Sequence, residues 1–172
     1  MSQIKDGMTH FITEEEIKQL VKKVAREIES DYKDKEVILI CPLKGSLHFT
    51  ADLSRELHLP CHIDFVQLQT VEKGGAVKLI KDISVNITNK HVIIIEEIID
   101  TGRVLLFLRN RLLSSNPASL KIACLLDKPA RRELPIRADY IGKTIEDRYV
   151  VGYGMDQEEL GRNYKNIYIM KN

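Results

Sequence analysis

Residues 91–113, HVIIIEEIIDTGRVLLFLRNRLL, hold the side chains best placed for chemistry. Glu96 and Glu97 are adjacent acceptors, suited to sugar hydroxyls or to a hydrated divalent cation. Asp100 opens a turn through Thr101, Gly102 and Arg103, and a helical pattern follows at once. Backbone N–H groups and the positive end of a helix at such a turn favour a phosphate. Asp100 would then lie beside a bound anion, placed to take a proton. A site for a phosphate, a sugar and a cation together suggests a phosphorylated ribose. Unpaired carboxylates are costly to bury. The three acids are therefore expected outside the core, at the carboxyl end of a strand, where open α/β sheets bind ligands.

The rest of the chain supplies the elements that must position these groups. Thr13 and Glu16 have capping-box spacing, with Ile12 and Ile17 as a hydrophobic staple, and Ile17, Leu20, Val21, Val24 and Ile28 form one helical face ending near Ser30. EVILIC, residues 36–41, reads as a strand buried on both faces and stopped by Pro42. PLKGS, residues 42–46, is a turn before a helix over about 47–57, a place where backbone can hold an anion or simply connect two elements. Residues 61–68 and 77–80 are expected strands around a glycine-bearing loop, QTVEKGGA, which reads as a mobile lid or a long hairpin loop. A helix follows Arg103 and stops at Ser114-Ser115-Asn116-Pro117. LKIACLL, residues 120–126, is another apolar strand, ending in Asp127-Lys128-Pro129 with Arg131 and Arg132 beyond. Short strands at 140–143, 149–154 and 167–170 close the chain.

Alternating helix and strand over the first 126 residues predicts an α/β fold with a mostly parallel sheet flanked by helices. At 172 residues one domain is expected, with a small β-rich hood built mainly from about 134–172 and the N-terminus as a candidate contributor. The formal charge of +1 provides no global field for nucleic acid or acidic membranes. Cys41, Cys61 and Cys124 are odd in number and show no CxxC, as expected of free thiols in a reducing compartment. No apolar signal core and no membrane-length run are visible, so a cytoplasmic protein is expected. There is no GxGxxG. Gly142-Lys143-Thr144 lacks the earlier glycine of a phosphate loop, because position 137 is Arg137. His58 and His62 are four apart, but Pro60 forbids the helix that would pair them on a metal.

The pattern of two acids, two aliphatics and Asp-Thr-Gly resembles the phosphoribosyl pyrophosphate (PRPP) motif of type I phosphoribosyltransferases. PLKGS resembles the Leu-Lys-Gly turn that meets pyrophosphate in the hypoxanthine-guanine members. LLDKPARR resembles their purine-lysine segment, and RYVVGYGMD, residues 148–156, their hood segment, with Arg162 at the expected distance. Together these cover nearly the whole chain in the right order.

The resemblance implies a 6-oxopurine salvage enzyme that moves the phosphoribosyl group of PRPP to N9 of hypoxanthine or guanine, releasing pyrophosphate. It implies Mg²⁺ as cofactor, a homodimer or homotetramer, and a type I phosphoribosyltransferase fold. It assigns Asp100 as acceptor of the purine N7 proton, and Glu96 and Glu97 to the ribose hydroxyls and the metal environment. Thr101, Gly102, Arg103 and Val104 fall at the 5′-phosphate; Leu43, Lys44, Gly45 and Arg162 at pyrophosphate, with a cis peptide between Leu43 and Lys44. Lys128 would donate to the purine 6-oxygen, Tyr149 would stack on the base, and the backbone of Val150 would meet its edge. Asp156 would hold a second Mg²⁺. Thr70, Val71, Gly74 and Gly75 would belong to the lid.

Three departures from the family pattern stand out. Glu97 replaces the usual Asp. Val104 replaces a Thr or Ser whose hydroxyl contacts the 5′-phosphate, a bond to a charged group worth about 1.5–3 kcal/mol. Thr70 and Val71 replace the lid's Ser-Tyr pair in a loop shorter than usual, which weakens exclusion of water. These predict a slower enzyme. The competing reading is a regulatory protein of the same fold that binds RNA or a partner. Such proteins tend to replace the acid at position 100, whereas Asp100 is intact.

Overall fold

A computed structural model describes residues 7–70 and 76–171. The order is β1 (Met8–Ile12), α1 (Glu14–Asp31), β2 (Val37–Leu43), α2 (Leu47–Glu56), β3 (Cys61–Thr70), β4 (Val77–Lys81), β5 (His91–Ile99), α3 (Arg103–Leu113), β6 (Ser119–Asp127), β7 (Tyr140–Thr144), β8 (Val150–Val151) and β9 (Ile167–Met170). Six strands form the central sheet in the order β4-β3-β2-β5-β6-β7. All pairs are parallel except β3 with β4. This is the α/β architecture with the mostly parallel sheet that the apolar runs predict.

Each central strand is apolar on both faces because each face is covered. Ile93 and Ile95 of β5 pack toward α1 and α2, whereas Val92 and Ile94 pack toward α3. Period-2 alternation sends neighbours to opposite sides. Burying one such isoleucine stabilises the fold by about 1.5–3 kcal/mol. The capping box at Thr13 is formed in both directions, and Ile12 and Ile17 are buried together.

Several boundaries differ from expectation. Pro42 does not stop β2, which continues to Leu43 beside β3. Pairing of β2 with β5 ends at Ile40, so Pro42 lies where one side of the strand is already open and a missing N–H costs no ladder bond. Residues 140–144, expected in the hood, instead extend the central sheet next to β6. The hood sheet is β1-β9-β8, antiparallel, with its first strand supplied by the N-terminal Met8–Ile12. That strand is too short and too mixed in pattern to read from sequence. The strand expected at 149–154 is only two residues long, followed by a bridge from Gly152 to Met155. Thr70, expected in the lid, is the last residue of β3 and pairs with Val77. Val71, Gly74 and Gly75 lie outside the described residues.

The chain runs outward from β2 to β3 and β4 on one side, and from β5 to β6 and β7 on the other. The crevice above β2 and β5 is thus the topological switch point, where α/β sheets bind ligands at their carboxyl ends.

Candidate active site

At the carboxyl end of β5 the two glutamates diverge. Both lie within the strand, so they project to opposite faces. Glu96, with Ile98–Leu105, lines a cleft of about 190 Å³ beside the start of α3. Gly102 is the N-cap of that helix with φ +86°, and any side chain there would also collide with Ile136. The turn therefore presents N–H groups at the helix's positive end with no Cβ in the way. Burial raises the Glu96 pKa well above the carboxylate range, and the charge of Glu97 raises it further.

Glu97 faces the hood. Its carboxylate packs directly on Gly45, in the turn after β2. Burial raises its pKa and Asp156 adds to the rise, while hydrogen bonding and the Arg162 guanidinium oppose it. The Leu43–Lys44 peptide is cis, as the resemblance implies. Gly45 is in turn covered by Gly154 of the hood, where a Cβ would strike the Gly45 carbonyl. Arg162 donates to the Gly154 carbonyl at 2.8 Å and pairs with Asp156 at 2.9 Å and Glu159 at 3.4 Å. Lys44 reaches the same Glu159 at 2.8 Å. The two cations expected at one leaving group thus share one acid. Tyr149 is exposed, and its hydroxyl donates to the Asp156 carbonyl at 2.9 Å, fixing a ring that phenylalanine would leave untethered. Val150 lies on β8, an edge of the hood sheet, where backbone groups remain available to a ligand.

The third wall follows β6. The Lys128 N–H donates to the Ile99 carbonyl at 3.0 Å, so β5 fixes the position of this residue. Its side chain is only 8% exposed, and Nζ lies 3.9 Å from Asp147. Pro129–Arg131 form one 3-10 turn. Arg132 pairs with Asp127 and donates to the Asp100 carbonyl at 3.0 Å. Arg131 pairs with the Asp100 carboxylate at 3.1 Å. Glu133 N–H donates to the Thr101 carbonyl at 3.0 Å, and the Glu133 carboxylate binds Arg103 at 2.6 Å. One short segment therefore braces the whole Asp100–Arg103 turn.

The phosphoribosyl transferase domain family matches residues 11–158. The chain belongs to the phosphoribosyltransferase family. It is 41% identical to the hypoxanthine-guanine phosphoribosyltransferase of Staphylococcus epidermidis over 171 residues, covering 97% of this chain and 96% of that one. A crystal structure of a hypoxanthine-guanine phosphoribosyltransferase from Bacillus anthracis superposes with a TM-score of 0.91 at 43% identity, covering 95% and 97% of the two chains. That of a hypoxanthine phosphoribosyltransferase from Staphylococcus aureus gives 0.94 at 38% identity, covering 99% and 95%.

Against that phosphoribosyltransferase frame, two expectations change. Asp100 lies outside the core, its side chain 46% exposed, but the two glutamates do not avoid it: Glu96 is 9% exposed, and both belong to β5. Their raised pKa values are the physical cost of that placement. Nor do Glu96, Glu97 and Asp156 converge on a point. Among the described residues no three His, Cys, Asp or Glu side chains could hold a metal together. The adjacency of Glu96 and Glu97 in sequence separates their side chains across the sheet.

Residue type and spacing give no role to Glu133, Asp147 or Glu159. Each finds its cation only through folding: Glu159 is 115 positions from Lys44, and Glu133 is 30 from Arg103. The one available signal was the pair Arg131-Arg132, a local positive patch with no partner evident in the chain nearby.

Proposed function

We propose that this phosphoribosyltransferase transfers the 5-phosphoribosyl group of PRPP to N9 of hypoxanthine or guanine. The observation that carries this reading is the junction of Lys128 with the Asp100 turn. A nearly buried lysine is hydrogen-bonded through its backbone to Ile99, one residue before the candidate proton acceptor. A donor selecting a 6-oxygen and an acid for N7 are thereby held on neighbouring strand ends.

The N9–C1 bond forms as the bond from C1 to pyrophosphate breaks, and the N7 proton passes to Asp100. Lys44 and Arg162 neutralise the departing charge, the main electrostatic task of such a step. Residues 101–104 hold the 5′-phosphate, and Glu96 and Glu97 orient the ribose. Tyr149 stacks on the base and Val150 meets its edge. Lys128 donates to a 6-oxygen but would meet another donor in adenine. A site built around such a bond discriminates by about 10⁴-fold.

The donors fit Mg²⁺ held chiefly by substrate. Mg²⁺ keeps several waters and is commonly bound by one or two carboxylates together with substrate phosphates. Glu96, Glu97 and Asp156 offer such single carboxylates and no cage. When bound, the ion would supply charge neutralisation at pyrophosphate. A homodimer or homotetramer in the cytoplasm belongs to the same reading. No helix among the described residues is long and apolar enough to cross a membrane.

The test is incubation with PRPP, Mg²⁺ and one base at a time. Nucleotide should form with hypoxanthine or guanine and not with adenine. Failure with every purine, accompanied by RNA binding, would overturn the reading.

A further inference from the structure

Arg131 lies between two acids. Its Nε is 3.1 Å from Oδ1 of Asp100 and 3.8 Å from Oδ1 of Asp147. The same Asp147 oxygen is 3.9 Å from Nζ of Lys128. Two acids therefore share Arg131, and two cations share Asp147. Arg131, Asp100 and Asp147 are 48%, 46% and 53% exposed. Ion pairs this exposed contribute about 0–1 kcal/mol each. Moving the guanidinium from one acid to the other therefore costs little. Lys128 is 8% exposed and fixed through its backbone, while its Nζ is held only loosely by Asp147.

We propose that Arg131 and Asp147 couple recognition of the base to release of the proton acceptor. The inference rests on the roles given above to Asp100 and Lys128. In the arrangement seen here Arg131 occupies Oδ1 of Asp100, a carboxylate that must be free to accept a proton. A 6-oxopurine draws Nζ of Lys128 onto its oxygen. Asp147 loses that cation and takes Arg131 in exchange, so Asp100 is uncovered as the base arrives. Arg132 remains on Asp127 and on the Asp100 carbonyl, so the turn keeps its place while Arg131 moves. A base with a donor at C6 does not draw Lys128, and Asp100 stays covered. Discrimination then acts on turnover as well as on binding. Arg131 and Asp147 are positioning residues, since neither touches the reacting atoms.

Steady-state kinetics of the full chain with PRPP, Mg²⁺ and hypoxanthine test this. Asp147→Asn should lower kcat about 2- to 5-fold, within the range such an exposed ion pair can supply, with KM for PRPP unchanged. Asp147→Glu, which keeps the acceptor, should retain most of the rate. Adding Arg131→Gln to Asp147→Asn should restore most of what the single change removed, because no guanidinium then covers Asp100. A double variant as slow as Asp147→Asn, or an Asp147→Asn enzyme at the wild-type kcat, overturns the handover. Failure of the underlying reading looks different. In that case the wild type makes no nucleotide from hypoxanthine, or Asp100→Asn turns over at the wild-type rate, whatever stands at 131 and 147.

Discussion

Gly45 and Glu97 are packed so closely that a Cβ on Gly45 would overlap the Glu97 carboxylate. They lie 52 positions apart, on the carboxyl ends of adjacent strands β2 and β5. The contact locks the turn after β2 to the strand that carries Glu96 and Glu97.

Gly45→Ala must displace either the turn or Glu97. Overpacking of this kind costs about 1–3 kcal/mol. The expected outcome is a lowered melting temperature, together with a loss of turnover larger than the stability change accounts for. Thermal unfolding and kinetics on the same sample check this. Normal turnover would show that Glu97 can move without consequence.

Val104 lines the cleft beside Glu96 without a hydroxyl to offer. Val104→Thr should lower KM for PRPP about 10-fold or more, as a bond to a charged phosphate is worth about 1.5–3 kcal/mol. The KM for the purine should stay as it is. An unchanged KM for PRPP would place the phosphate elsewhere.

Chelation should separate function from fold. No three acidic, histidine or cysteine side chains converge among the described residues. EDTA should abolish nucleotide formation and leave the melting temperature of the protein alone unchanged. A melting temperature that falls with EDTA would reveal a built metal site.

Asp64 sets an acid limit to stability. Its carboxylate accepts from the N–H groups of Phe65, Ser84 and Val85 and lies 3.6 Å from Lys81. Burial raises its pKa, but the three backbone bonds and Lys81 outweigh that and hold it below the ordinary 3.8. The folded state therefore binds this proton less tightly than the unfolded chain. The contribution is complete above pH 3.8 and is lost as pH falls through the lower folded value. Asp64→Asn should destabilise the protein by about 1–3 kcal/mol at neutral pH, through weakened bonds to these three N–H groups. It should also flatten the acid limb of the stability profile. An identical acid limb in the variant would remove Asp64 from the account.

The local elements were legible because local physics fixes them. The capping box at Thr13, the helix starts at Leu47 and Arg103, and the apolar runs of β2, β5 and β6 follow from spacing and side-chain type. The strand Met8–Ile12 was not legible, because its pairing partner β9 begins more than 150 residues later. β7 joins the central sheet rather than the hood, and sequence cannot show this for a related reason. A five-residue strand carries no mark of which sheet it will join.

Residues 91–113 alone determined that acids, a phosphate-favouring turn and a helix start would meet at the end of one strand, because all of them are contiguous. Tertiary structure alone decided what each group faces. Strand alternation separates Glu96 from Glu97, but only the packed fold set the cleft beside one and Gly45 against the other. It set Lys44 and Arg162 on one shared acid, and it placed Arg131 between Asp100 and Asp147. Those pairings depend on chain segments brought together by strand order, and one-dimensional spacing does not encode the distance between them.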